Sequence, residues 1–384
     1  MKIIIDASSK GSGGGKRHLK EILNEFIKPV YKINKIYIWG PKSLLNLLPT
    51  SPIIIKNTSF FLNKGLFGTI IWKSILRDRD FKKIDFDCIY SPFGNYTGKL
   101  KPYVTMSRNM LMFEEKERKK YGFSFDRFKL ELLYFEQKKS FINSSGIIFL
   151  SNYAKKIISD MLKNKFESSV VINHGVSDMF RKLPKTQCPI STYSTTNPFE
   201  LLYVSNILPY KYHLNVINAV NQLANEGIPI KLTLIGKNEF NKIGKKVNKL
   251  VNKVNIAHKI IDWHQNVSID EVKKYYHLSD CFIFASTCEN MPNILIEAMS
   301  SGLPIICSNT GPMKEFLKES GIYFNPLSVV DLKKSLLKMI NDVDLRSKLS
   351  RNSHELSFKY SWQKCAQKSI SFIINKSNNF KKDV

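Results

Sequence analysis

Short apolar, β-branched runs alternate with longer stretches of helical periodicity along this chain. Lys2–Asp6, Ile36–Trp39, Cys88–Tyr90, Tyr103–Met106, Gly146–Leu150 and Val170–Ile172 are nearly continuous in apolar character. Strands of a parallel sheet covered on both faces require that pattern. A Thr-, Ser- and Pro-containing stretch from Leu183 to Pro198 interrupts it and reads as a linker. The alternation then restarts with Glu200–Val204, Lys231–Ile235, Cys281–Ala285 and Pro304–Cys307 as strands. Between the first two of these, Leu214, Ile217, Val220 and Leu223 keep one apolar helical stripe. Two β-α repeating halves predict an α/β protein of two doubly wound domains, residues 1–180 and 200–360. The linker covers 181–199, and a C-terminal helix with a charged tail covers 361–384. Such sheets bind ligands at the carboxyl ends of their strands, so a cleft between two domains is the expected site.

At 384 residues and 43% hydrophobic, the chain is long and apolar enough for two folded cores. Lys and Arg number 59 against 32 Asp and Glu, a formal net charge of +27. That excess suits an anionic partner, whether nucleic acid, anionic lipid or a phosphorylated ligand. The Lys-, Asn- and Ile-rich usage of every segment accounts for it equally well. Six cysteines with no C-x-x-C pair form neither a disulfide framework nor a zinc motif. The start, Met1-Lys-Ile-Ile-Ile-Asp6, meets a carboxylate after three apolar residues, and no window reaches the roughly 18–20 apolar residues of a membrane span. A cytoplasmic protein is the expectation.

Gly11-Ser-Gly-Gly-Gly-Lys16 follows the first strand, ahead of a helical pattern starting near Arg17. Glycines there let backbone amides approach a phosphate, and a helix N-terminus adds partial positive charge. Lys16 occupies the last glycine position of a dinucleotide fingerprint. Lys10 and Arg17 occupy the positions where a Walker A loop needs Gly and a magnesium-binding Ser or Thr. Neither NAD binding nor ATP hydrolysis is supported. Two readings remain: a flexible strand-to-helix turn, or a loop closing over an anionic ligand.

The densest chemistry lies in Ser286-Thr-Cys-Glu-Asn-Met-Pro-Asn-Ile-Leu-Ile-Glu-Ala-Met-Ser-Ser-Gly-Leu-Pro304. A strand ends near Ala285, a loop carries Glu289, and Pro292 suits the first position of a helix. Free amides at Asn293, Ile294 and Leu295 would bind a diphosphate. Glu289 and Glu297 would be repelled by phosphate, so they suit sugar and ribose hydroxyls.

Glu289 and Glu297, followed by Ala-Met-Ser-Ser-Gly-Leu-Pro, resemble the signature of retaining GT-B glycosyltransferases, and glycosyltransferase family 4 in particular. The resemblance covers about residues 1–360. It implies two Rossmann-like domains facing a central cleft, the first on the acceptor side and the second binding a nucleotide sugar. It further implies that Glu289 contacts the donor sugar and Glu297 the nucleotide ribose. Tyr203-Val-Ser-Asn-Ile-Leu-Pro-Tyr-Lys-Tyr-His213 resembles the family element in which an Arg and a Lys neutralise the diphosphate. Lys211 matches the Lys, and Asn206 stands where Arg is usual. Asn173-His-Gly-Val-Ser resembles the family's turn closing the first domain, and Gly13, Gly14 and Gly15 match the loop bordering the donor phosphates. Ser91-Pro-Phe-Gly-Asn95 and Met106-Ser-Arg-Asn-Met-Leu111 resemble bacterial members that build surface polysaccharide, meaning O-antigen, capsule or lipopolysaccharide. Ser107, Arg108 and Asn109 replace a His that many relatives carry, so no catalytic His is assigned. Trp263-His-Gln-Asn-Val-Ser resembles the segment near the base, where His264 replaces a usual Gly and reads as a loop residue.

The expectation is thus a glycosyltransferase with Glu289 and Lys211 as catalytic residues. Asn206, Asn293, Ile294, Leu295, Glu297 and the three glycines would bind donor with them. No cofactor or metal is implied, because Lys211 and the helix dipole would neutralise the leaving group. The partners implied are a UDP- or GDP-sugar and a glycan or polyprenyl-diphosphate-linked acceptor, with no nucleic acid. A nucleotide-sugar epimerase of the same fold would need acid/base carboxylates and a His that cannot be assembled here. A non-enzymatic polyanion binder would need a module the sequence does not show. Phe113 to Phe141 is amphipathic and basic, with Phe125, Phe128, Leu132 and Phe135 at helical spacing. A core-facing helix is the favoured reading over a lipid-facing one. The charge predicts peripheral, salt-reversible attachment to an anionic membrane through the Lys116–Lys139 region.

Overall fold

The computed structural model describes residues 1–9 and 13–383. Lys10, Gly11 and Ser12 of the glycine-rich loop lie outside the described residues. The chain divides into two compact units. One comprises Met1–Phe113, Phe123–Gly175 and Tyr360–Val384, and the other Glu114–Gly122 and Val176–Lys359.

The first unit is built on β1 (Lys2–Asp6), β2 (Lys35–Trp39), β3 (Ile54–Asn57), β4 (Cys88–Ser91), β5 (Tyr103–Met106), β6 (Gly146–Phe149) and β7 (Ser169–Val171). They form a parallel sheet in the order β3-β2-β1-β4-β5-β6-β7. Ile3, Ile4 and Ile5 of β1 and all of β4, β5 and β6 are buried, as the continuous apolar runs require. The strand order reverses between β1 and β4, a topological switch point. Just beyond their carboxyl ends, Asn95 Nδ2 donates to Ser9 Oγ.

The second unit holds β8 (Phe199–Val204), β9 (Ile230–Ile235), β10 (Ile261–His264), β11 (Cys281–Phe284), β12 (Ile305–Ser308) and β13 (Ile322–Phe324). These are parallel in the order β10-β9-β8-β11-β12-β13, with the switch point between β8 and β11. His264 thus ends an edge strand instead of lying in a loop, with Nε2 3.2 Å from the Tyr275 hydroxyl. Both units are doubly wound, as the alternation of strands and helices predicts.

Several local expectations change. The first helix begins at Gly13, not near Arg17, so Gly13, Gly14 and Gly15 form its opening turn. The charged segment after Lys376 is the end of a helix, Trp362–Asp383, that packs on the first unit. Ser377 Oγ donates to Asp87 O at 3.0 Å, and Lys381 pairs with Asp87. A Cβ at Gly175 would lie 2.1 Å from Trp362 N, so only glycine admits the start of this helix there. Cys188 is exposed and the other five cysteines are buried, all of them unbridged.

The Phe125–Ile142 helix corrects the core-facing expectation. Its buried residues include Gln137, Ser140 and Phe141, whereas Phe125, Phe128, Leu132 and Phe135 are 54–73% exposed. The preceding helix, Glu115–Lys119, belongs to the second unit, so the basic Lys116–Lys139 stretch is divided between the two units.

Candidate active site

In the second unit, the chain leaves β8 through Asn206 and enters a 3₁₀ turn, Pro209–Lys211. Tyr212 follows in the left-handed region at φ 49°, which reverses the chain into the His213–Asn225 helix. Tyr203 Oη donates to Lys211 O at 2.6 Å, fixing this turn to the strand. The loop after β11 is tied to the same turn, because Thr287 N donates to Tyr210 O at 2.9 Å. These bonds bring Lys211 Nζ and Glu289 Oε1 into an ion pair. Lys211 is buried, with its ammonium 5.2 Å and 5.4 Å from the ring centroids of Tyr210 and Phe284. A mostly desolvated cation thus sits at the switch point, neutralised by one carboxylate. Burial and Glu289 push the Tyr210 phenol well above its ordinary pKa, keeping it neutral.

Glu297 lies on the Asn293–Ser300 helix and is buried. Tyr276 Oη stands 3.3 Å from Glu297 Oε2 and 3.2 Å from Ile294 O, joining the carboxylate to its own helix. Pro292 caps this helix from outside instead of forming its first residue. The first turn also uses two of the three amides expected to be free. Asn293 N donates to Met291 O at 3.0 Å and Leu295 N to Pro292 O at 2.9 Å. Among the described residues, Ile294 N has no such acceptor.

Asn206 is held on both sides: Nδ2 donates to Glu239 Oε1 at 2.8 Å and Oδ1 accepts from Lys237 N at 3.1 Å. The amide at this position therefore fastens the end of β8 to the loop after β9. Gly236, at φ 153°, permits the approach, since a Cβ there would lie 2.0 Å from Ser205 O. Lys120 is a basic group that sequence reasoning did not single out. Its ammonium donates to Tyr212 Oη and Glu117 Oε2, both at 2.6 Å. Nothing in the local sequence marks it, because its phenol partner lies 92 residues away. His213 was also missed. It is fully buried, stacks on Tyr203 at 4.7 Å and lies 3.3 Å through Nε2 from Ser205 O. Burial lowers its pKa to about 3, with Lys211 adding to the effect and the Ser205 contact opposing it.

In the first unit the glycine turn packs against Phe93 and Arg108. A Cβ on Gly15 would lie 2.9 Å from the Phe93 ring, and Arg108 Nη1 donates to Gly15 O at 3.3 Å. His18, on the same helix, is completely buried and stacks on His174 at 4.5 Å. Burial first, then His174 and Arg108, hold it well below the ordinary histidine pKa. The sequence-predicted residues thus fall into two groups. Lys211, Glu289, Glu297, Asn206 and Asn293 to Leu295 belong to the second unit, and Gly13 to Gly15 to the first. Among the described residues there is no cluster of three or more His, Cys, Asp or Glu side chains arranged to hold a metal ion.

Comparison with known proteins bears on this arrangement. Residues 191–356 match the family model of glycosyl transferases group 1. An uncharacterized glycosyltransferase of Methanocaldococcus jannaschii is 28% identical over 225 residues, 58% of this chain and 57% of that protein. A serotype-specific mannosyltransferase of Escherichia coli is 27% identical over 195 residues, 49% of this chain and 23% of that protein. The chain thus spans little more than half the length of the first relative and under a quarter of the second. Among solved structures, a sucrose-phosphate synthase from Thermosynechococcus elongatus superposes with a TM-score of 0.75 at 15% identity, covering 97% of this chain and 98% of that one. Anabaena HepE, solved with UDP and glucose, superposes with a TM-score of 0.71 at 15% identity, covering 98% of this chain and 100% of that one. The fold is that of the GT-B glycosyltransferases, and the segment that matches the group 1 family model lies in the second unit.

Proposed function

We propose that this chain transfers a hexose from a UDP- or GDP-sugar to a glycan or polyprenyl-diphosphate-linked glycan, with retention of anomeric configuration, in the synthesis of cell-surface polysaccharide. The observation that carries the reading is the mostly buried Lys211–Glu289 ion pair at the switch point of the second sheet, within the segment that matches the group 1 family model. An entering diphosphate would take Lys211 from Glu289 and release that carboxylate to accept a hydroxyl hydrogen bond from the donor sugar. Glu297, held by Tyr276, would accept from the ribose hydroxyls. Charge developing on the leaving diphosphate would then meet a fixed cation in a site of low water content, where such stabilisation is strongest. In this reading the bond between the anomeric carbon and the phosphate oxygen breaks. The acceptor oxygen bonds to that carbon on the same face, and its proton passes to the departing diphosphate.

The mannosyltransferase relative and the UDP-bound neighbour make GDP-mannose and UDP-glucose the first donors to try. Proton NMR of the product or of the slowly hydrolysed donor tests the stereochemistry. An α-donor should give the α-anomer first, and initial formation of the β-anomer would overturn retention.

A further inference from the structure

Two helices of the first unit carry their apolar residues outward. On the Gly65–Ile71 helix and its π-turn, Trp72–Leu76, the side chains of Leu66, Phe67, Ile70 and Ile75 are exposed, Phe67 by 83%. The inward positions Gly68, Thr69 and Trp72 are buried. The Phe125–Ile142 helix exposes Phe125, Phe128, Leu132 and Phe135, and Phe123 just before it is fully exposed. One ion pair joins the two rows: Lys73 Nζ lies 2.8 Å from Glu136 Oε1. Lys73 follows Leu66 and Ile70 by seven and three residues, and Glu136 follows Phe128 and Leu132 by eight and four. Both side chains are mostly buried, 11% and 27% exposed, so the pair forms a seam between the two helices with an exposed apolar residue of each helix within one turn, and the two apolar rows are neighbours. Scattered exposed apolar residues are ordinary, but adjacent rows of Phe, Ile and Leu are not.

The exposed charges around the rows are mostly basic. Glu136 is paired with Lys73, and Glu131 with Arg127 at 2.6 Å. Lys64, Lys129 and Lys139 remain exposed beside the rows, against one exposed acid, Asp126. Lys64 Nζ sits 4.9 Å over the Phe60 ring, itself 70% exposed. An apolar face with a basic rim complements the headgroup and acyl boundary of an anionic bilayer. A second copy of the chain fits poorly, because a symmetric contact would set the lysine rim against itself.

We infer that this two-helix face inserts into the surface of an anionic membrane, with Phe67, Phe128 and Phe135 as the inserted side chains. The inference takes its purpose, delivery of the enzyme to a lipid-linked acceptor, from the function proposed above, and its evidence from the exposed face alone. It differs from purely electrostatic attachment in its salt dependence, because buried apolar area is not screened by ions.

Flotation with vesicles of phosphatidylcholine, alone or mixed with phosphatidylglycerol, tests it. The full chain should bind the mixed vesicles and keep at least a third of that binding in about 1 M salt, where the Debye length is about 3 Å. The combined Phe67→Ser, Phe128→Ser and Phe135→Ser variant should lose at least tenfold in partitioning while keeping its thermal midpoint. These positions are exposed, so the variant should fold. Partitioning of the variant equal to wild type would overturn the inference. So would complete release of the wild type by salt, or a concentration-dependent dimer that the variant abolishes. UDP and GDP titrations on the same samples keep the two readings apart. Lost vesicle binding with retained nucleotide binding in the variant supports the face. Vesicle binding by a wild type that binds no nucleotide would sink the transferase and leave the face standing.

Discussion

At the residue scale, the proposed chemistry centres on the Lys211–Glu289 pair. Lys211→Ala should lower turnover by about 10²–10³, the usual effect of removing one preorganised charge-stabilising group. A loss below about fivefold, roughly 1 kcal/mol, would assign the diphosphate to another cation. Glu289→Gln and Glu297→Gln should fail differently. The first should lower turnover while nucleoside diphosphate binding stays equal or tightens, because Lys211 no longer has a competing carboxylate. The second should mainly weaken nucleotide binding. Steady-state kinetics and calorimetric titration of both variants check this, and wild-type behaviour in both would sink the assignment. Tyr276→Phe removes the hydroxyl beside Glu297. It should raise the donor KM several-fold with little change in turnover, in line with a hydrogen bond worth about 0.5–1.5 kcal/mol.

His213 makes a second residue-scale prediction. Its neutral ring contacts Ser205 O, while Nδ1 is buried without a partner near Lys211, so protonation there is unfavourable in the folded state. The unfolded chain binds that proton near the ordinary histidine pKa of about 6.5. Folded-state pKa is lowered, so stability is full above pH 6.5 and falls as pH drops toward 3. Thermal melts from pH 7 to pH 4 should show a falling midpoint, and His213→Gln should flatten that dependence. An unchanged slope in the variant would place the acid sensitivity elsewhere, with His18 the next candidate.

At the element scale, the buried strands were legible because burial on both faces leaves a continuous apolar run. β1 and β5 match their predicted bounds, and the other predicted strands differ by a residue or so at their ends. The pattern did not reveal β3, β10 and β13, which lie at or next to the sheet edges and are half-exposed, so their sequences mix Lys, Asn, Asp and Tyr with Ile. Periodicity also could not orient the Phe125–Ile142 helix, because the spacing of its aromatic residues defines a stripe without saying which side faces the sheet. The signature around Glu289 and Glu297 was readable because it is local. The partners holding it in place, Tyr276 at Glu297 and Tyr210 at Thr287, reach it from other elements, and nothing in the signature itself announces them. The Asn173-His-Gly turn has a structural reason visible only after folding, namely the Trp362 backbone lying against Gly175. Gly175→Ala should therefore destabilise the first unit by about 1–3 kcal/mol, the usual cost of overpacking, and the loss should appear as a lower midpoint in denaturant. A change below about 0.5 kcal/mol would mean that the C-terminal helix shifts without cost.

At the scale of the whole molecule, two parallel-sheet units, a segment matching the group 1 family model and a large basic excess have to be accounted for together. No helix among the described residues is long and apolar enough to cross a membrane. The proposed donor chemistry belongs to the second unit and the exposed apolar face to the first, so they can be broken separately. Calorimetric titration of UDP and GDP into the wild-type chain and the Lys211→Ala variant, at one fixed salt concentration, tests the proposed donor site most directly. The proposed donor site requires saturable one-site binding of at least one nucleotide by wild type, weakened at least tenfold in the variant. Absence of binding by both nucleotides, or equal affinity in the two proteins, would contradict it.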